Sequence, residues 1–239
     1  MFGSYQRSAE VYDVFYNTLV DYEANAGKLR DLIRDRTKDP KKVLEVACGT
    51  GAYATWLDEW FDITGLDISP EMLAVARVRL PDSVFVEADM TDFDLGQEFD
   101  AVLCLFSSIG YLTSSEQLVS SLAAMARHTA PGGVVVVEPW LTPDAWQEDR
   151  NLTVHTAEGD DVTIARVVSW VRSGDIITLN WGFVVGRPGG DVEAYTEEHV
   201  TRLFTHEDYL DAFTSAGLKV ERDEEGPMGR GLYIGTKPS

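Results

Sequence analysis

The sequence predicts an α/β protein with a mostly parallel sheet, helices on both faces, and an antiparallel β insertion late in the chain. Three observations carry this. Short continuous apolar runs alternate with amphipathic segments between residues 43 and 137, as expected of strands covered on both faces and joined by helical crossovers. A glycine-rich turn follows the first of those runs. After Trp140 the apolar period becomes two, the signature of half-buried strands.

The elements follow in order. Residues 10–36 read as helical, with Val11, Val14, Phe15 and then Leu29, Leu32, Ile33 at helical spacing, ended by Pro40 and its lysines. Strands are expected at 43–47, 63–66, 84–88, 101–106 and 134–137, and helices at 53–60, 70–80 and 116–129. In the insertion Val162, Ile164, Val168 and Trp170 share one parity, although Arg166 interrupts that face. Beyond the turn at Ser173-Gly174-Asp175, Ile177, Leu179, Trp181, Phe183 and Val185 share another. Pro188-Gly189-Gly190-Asp191 makes the next turn and 192–204 a further strand. A helix through Tyr209, Leu210 and Phe213 ends at Gly217, and strands at 218–220 and 231–235 close the chain. The expected organisation is a core with an N-terminal helical cap (1–139), the insertion (140–204), and the remainder of the core (205–239).

Composition narrows the function. The 239 residues are 44% hydrophobic and 25% charged, with 20 Lys+Arg against 40 Asp+Glu and a net charge of −20. That charge opposes unspecific binding to nucleic acid or to an anionic membrane. Cys48 and Cys104 lie inside apolar runs, so both are expected reduced and the protein cytoplasmic. Four scattered histidines and two cysteines lack ligand spacing, so no metal is expected. His155, His199 and His206 carry no constellation around them, and His128 at a helix end fits dipole stabilisation.

The strongest motif is Val43-Leu44-Glu45-Val46-Ala47-Cys48-Gly49-Thr50-Gly51. A strand runs into a tight glycine turn that opens a helix, where open α/β sheets bind ligand. Gly49 and Gly51 let the backbone turn sharply and a ligand lie against it. The pattern Gly49-x-Gly51-x-x-Ala54 also occurs in NAD sites. Asp67 ends the second strand, where a carboxylate can accept both ribose hydroxyls. Asp89 ends the third, where it can accept from the adenine amine. Met72 and Met90 can face the ring. Either aspartate could instead cap the following segment, and Glu45 could be a structural strand carboxylate.

The ordered set of glycine turn, second-strand Asp and third-strand Asp-Met resembles the class I (Rossmann-like) S-adenosylmethionine (SAM)-dependent methyltransferases more than a dehydrogenase. Further segments sharpen the resemblance: Val11-Tyr12-Asp13, Asp21-Tyr22, Phe106-Ser107-Ser108-Ile109-Gly110-Tyr111-Leu112, Pro139-Trp140 and Gly226-Pro227-Met228-Gly229-Arg230-Gly231-Leu232. These are similar to the N,N-dimethyltransferases of dTDP-linked deoxyamino sugars in antibiotic biosynthesis, over nearly the whole chain. The resemblance implies SAM as donor, S-adenosylhomocysteine as product, a sugar amine methylated twice, and a homodimer through the insertion. It places Tyr12 at the rim of the donor site, Tyr22 near the donor carboxylate, and the backbone of Ala47 and Phe106 near its amine. Departures fall at residues 15–20, which lack the usual Gly-Lys run, at Trp140-Leu141-Thr142-Pro143, and at Met228.

By the same resemblance Tyr5 and Tyr111 flank the acceptor, with Ser108 beside them. A tyrosine titrating near 10 argues for positioning over strong base catalysis; packing over the cofactor is the alternative. A dTDP-sugar carries a diphosphate, which needs local arginines against the overall charge. Arg230 is the first choice and Arg202 the second, each with a surface ion pair as its alternative. Trp140 could stack on the thymine or sugar, or pack the core. Methylation of a free metabolite, a non-catalytic SAM-binding protein and an NAD oxidoreductase are the competing functions.

Overall fold

The computed structural model describes Tyr5 and residues 7–147 and 152–239. Two helices, α1 (Ala9–Tyr16) and α2 (Tyr22–Arg36), precede β1 (Lys42–Val46), α3 (Ala52–Leu57), β2 (Asp62–Asp67), α4 (Pro70–Arg79) and β3 (Val84–Glu87). Then come β4 (Phe99–Cys104), α5 (Ser115–Arg127), β5 (Thr129–Val137), β6 (Leu152–Glu158), β7 (Thr163–Ser173), β8 (Ile176–Gly186), β9 (Val192–Arg202), α6 (His206–Ser215), β10 (Lys219–Asp223) and β11 (Leu232–Thr236). A seven-stranded sheet runs β10-β11-β5-β4-β1-β2-β3, parallel except at β10 and β11. A second sheet, β6-β7-β8-β9, is antiparallel throughout. No helix among the described residues is long and apolar enough to cross a membrane.

Each core strand feeds two faces, as its continuous apolar run predicts. On one, Leu44, Val46, Val102 and Val135 pack against α5 and α6. On the other, Val43, Leu103 and Val136 pack against α2 and α3. Asp21 caps α2 by accepting from the Ala24 N–H at 3.0 Å. Ser69 and Ser114 cap α4 and α5, and Thr205 with Asp208 forms a capping box on α6. The caps place the helix starts at the sheet's ligand-binding end.

Two expectations change. The helical stretch 10–36 is two helices, broken at residues 17–21, because α1 leaves the core to pack Val11 onto the second sheet. That sheet has four strands: β6 was not expected, because its inward residues Thr153 and His155 are polar and leave no apolar alternation. His128 sits at the C-terminus of α5, its Nδ1 meeting the Ala124 carbonyl at 2.8 Å while its Nε2 accepts from the Leu95 N–H at 2.9 Å.

Candidate active site

The turn after β1 is built from unusual backbone. Ala47 (φ 56°), Gly49 (φ 55°) and Gly51 (φ 72°) are all left-handed. A Cβ on Gly49 would meet open space, so its backbone faces the cleft. A Cβ on Gly51 would sit 3.3 Å from the Ala76 Cβ; Gly51 serves the packing of α4 against α3, and does not line the cleft.

Asp67 fixes this turn. Its Oδ2 accepts from the Gly49 N–H at 2.8 Å and its Oδ1 from the Ser69 N–H at 2.8 Å. Burial pushes the carboxyl up, and the N–H groups of Ser69, Gly49 and Ile68 oppose that. Asp89 does both things its position allows. Its Oδ1 accepts from the Thr91 N–H and hydroxyl, both at 2.8 Å, as a turn cap, while Oδ2 has no partner among the described residues. Between them opens a cleft lined by Ala47, Gly49, Asp67, Met72, Asp89 and Met90, and also by Tyr5, Tyr12, Ser108 and Tyr111. Two expected residues lie elsewhere. Tyr22 packs edge-on against Tyr53 at 4.9 Å and belongs to a separate groove. Phe106 lines the second cavity, and its N–H donates to Glu138 Oε2 at 2.8 Å.

The second cavity lies between the core and the antiparallel sheet. It shares Tyr5, Tyr12, Ser108 and Tyr111 with the first, so one aromatic wall divides two chambers. Trp140 and Arg230 line it. Trp140 stacks parallel to Trp170, with centroids 6.3 Å apart, and Arg230 Nη1 donates to Ser107 Oγ at 2.7 Å. Arg202 does not reach it. On β9 the inward residues are odd-numbered, so Arg202 faces away, its Nη1 donating to the Thr113 carbonyl at 3.3 Å and its Nη2 4.0 Å from Asp175.

Three site residues escaped the sequence reading. Arg166 is buried and lines the second cavity, its guanidinium over Phe15 at 3.9 Å and Trp181 at 4.6 Å, with Nη1 donating to Tyr16 OH at 2.9 Å. The break it makes in an apolar face was the available signal. His199 and Glu197 stand behind the wall: Tyr111 OH is 3.0 Å from His199 Nδ1, and His199 Nε2 is 3.6 Å from Glu197 Oε2. No local pattern could have paired them with Tyr111.

Under the turn, Glu45 is buried, and its Oε2 has no partner among the described residues. Burial first, then Asp67, push its carboxyl from 4.5 up to about 8. The folded chain therefore keeps a proton there that the unfolded chain loses, so this group's penalty on stability grows as pH rises from about 4.5 and is complete above about 8. Glu45→Gln is expected to raise Tm relative to the parent by an increment that grows across that window. Thermal melts from pH 4.5 to 8.5 check this; a pH-independent difference would contradict it.

The first cleft suits an adenosyl ligand. It offers a bare backbone at Gly49, a free carboxylate oxygen on Asp89, a carboxylate at the end of β2, and two methionine side chains. With a parallel sheet carrying that cleft at its carboxyl ends, the arrangement is that of a class I SAM-dependent methyltransferase.

Comparisons extend this. Residues 43–133 match the family described as "Methyltransferase domain". The chain is 44% identical over 230 residues to the dTDP-3-amino-3,4,6-trideoxy-alpha-D-glucopyranose N,N-dimethyltransferase of Streptomyces venezuelae, covering 95% of this chain and 97% of that protein. It superposes on the crystal structure of DesVI from Streptomyces venezuelae with a TM-score of 0.92 at 43% identity, covering 97% and 98% of the two chains. It also superposes on a SAM-bound amino pentose methyltransferase from Micromonospora echinaspora, with a TM-score of 0.84 at 33% identity and 97% coverage of both. The chain belongs to the family of dTDP-aminosugar N,N-dimethyltransferases.

Proposed function

We propose that this protein methylates the amino group of a dTDP-linked deoxyamino sugar twice in succession, with SAM as donor. The observation that carries this is the shared wall of Tyr5, Tyr12, Ser108 and Tyr111, which gives donor and acceptor adjoining chambers meeting at one face. SAM supplies an electrophilic methyl group, and the chain's own task is to hold the amine lone pair in line with it. Orientation of that kind lowers a barrier by about 7–11 kcal/mol.

Asp67 and Asp89 are assigned to the ribose and adenine, and Gly49 and Ala47 to the methionine part. Arg230 and Arg166 are assigned to the diphosphate. Neither forms an ion pair with a carboxylate among the described residues, so both keep their charge available in a chain of net −20. Trp140 supplies a flat face for the base or the sugar. Tyr5 and Tyr111 are raised well above 10, foremost by burial, so they act as neutral hydroxyls that position the amine rather than as phenolate bases. A homodimer through the second sheet fits the exposed valines of its outer face, Val154, Val167, Val171 and Val184. A cytoplasmic setting fits the two free cysteines.

Mass spectrometry of products from SAM with dTDP-linked and free amino sugars tests the reading. Dimethylation of at least one dTDP-linked amine, with none of the free sugars modified, is expected. Methylation of free amines alone, together with no binding of dTDP by calorimetry, would overturn it.

A further inference from the structure

Behind the tyrosine wall runs a line of groups that methyl transfer alone does not require. Tyr5 OH is hydrogen-bonded to Tyr111 OH. Tyr111 OH meets His199 Nδ1 at 3.0 Å, and His199 Nε2 faces Glu197 Oε2 at 3.6 Å. His199 is completely buried, its ring tilted against Trp181 with centroids 3.9 Å apart and against Tyr5 at 4.8 Å. Glu197 is anchored in turn: it accepts from Ser8 Oγ at 2.7 Å, the Ser8 N–H at 3.1 Å and the Arg7 N–H at 3.2 Å. Burial favours its neutral form, but the His199 ring and the Ser8 and Arg7 donors hold it below the ordinary carboxylate value. The titratable groups facing His199 are therefore Tyr5 from the N-terminal segment, Tyr111 from the 3-10 turn Ser108–Tyr111 and Glu197 on its own strand, with Arg166 of β7 across the Trp181 ring.

We propose that His199 is the proton acceptor for the sugar amine, reached through the Tyr5 and Tyr111 hydroxyls, with Glu197 positioning its ring, and that its principal use falls between the two methyl transfers. This rests on the function proposed above. A transferred methyl leaves the nitrogen positively charged and carrying N–H, without the lone pair a second transfer needs. In the relay that N–H proton passes to the Tyr5 oxygen, the Tyr5 proton to the Tyr111 oxygen, and the Tyr111 proton to His199 Nδ1. The amine regains its lone pair and both tyrosines end neutral. The single proton rests on an imidazolium opposite the Glu197 carboxylate until the site opens to water, and no other bond changes. The relay requires the neutral ring to carry its proton on Nε2, leaving Nδ1 to accept from Tyr111.

His199→Asn keeps an acceptor for Tyr111 but cannot hold the proton. At neutral pH it is expected to release monomethylated product, with the second transfer slowed by about 10²-fold or more and KM for the nucleotide sugar within about threefold. The deficit is expected to shrink as pH rises and hydroxide takes over proton removal, a rescue that a packing defect would not show. Glu197→Gln is expected to give a milder version of the same profile. A parent-like ratio of mono- to dimethyl product across pH in His199→Asn would overturn the proposal. Nitrogen-15 NMR of the histidine rings in the free parent protein, with Tyr111→Phe to assign the signal, gives a readout that needs neither substrate nor a folded His199 variant. An Nε2–H tautomer supports the relay, and an Nδ1–H tautomer overturns it. If the parent methylates no nucleotide-linked amine, the proposed function falls and the tautomer still decides the proton path.

Discussion

Asp67→Asn is expected to weaken S-adenosylhomocysteine binding by about 10²-fold or more. Both carboxylate oxygens of Asp67 accept backbone N–H groups, from Gly49 and Ser69. An amide turns one of those acceptors into a donor, so donor faces donor at either the glycine turn or the start of α4. The same change removes the charge available to the ribose hydroxyls. A hydrogen bond to a charged group contributes about 1.5–3 kcal/mol, and two such bonds exceed the roughly 2.8 kcal/mol of a 10²-fold loss. When the mismatch falls at the glycine turn, the left-handed residues Ala47 and Gly49 lose the Asp67 side-chain tie to the end of β2. Calorimetric titration with S-adenosylhomocysteine checks this, and parent-like affinity would show that Asp67 is a cap for α4 and nothing more.

Arg166→Leu is expected to raise KM for the nucleotide sugar by about 10²-fold while leaving Tm unchanged or higher. A buried cation without a carboxylate is costly to fold around. Stacking on Phe15 and Trp181 and the bond to Tyr16 OH offset part of that cost, but Arg166 Nε has no partner among the described residues. Such an arrangement is retained where an anion completes it, and a bidentate contact to a diphosphate contributes about 3 kcal/mol. Steady-state kinetics beside thermal melts separates the two roles. A large fall in Tm with KM unmoved would make Arg166 a packing residue of the aromatic cluster.

The fold was legible because buried strands leave continuous apolar runs, and because Asp67 and Asp89 end strands that the same runs define. Gly49 and Gly51 look alike in sequence, yet only the first faces the cleft. What separates them is Ala76 on α4, which no local pattern reveals. Arg202 has the charge a diphosphate needs, but strand parity, which puts Glu197, His199 and Thr201 on the inward side of β9, turns it outward. Thr153 and His155 of β6 and Thr201 of β9 face the second cavity, and His199 and Glu197 pack behind its wall, so the alternation of these strands carries no apolar signal. His199 therefore read as isolated, although its partner Tyr111 lies 88 positions away in the chain.

The most direct measurement is a crystal structure with S-adenosylhomocysteine and dTDP bound together. The expected result has the adenosyl group between Asp67 and Asp89, the sulfur facing the Tyr5–Tyr111 wall, and the diphosphate on Arg230 and Arg166 beyond it. Nucleotides in one chamber only, or the two ligands with the wall's hydroxyls not between them, would contradict a transfer across that face.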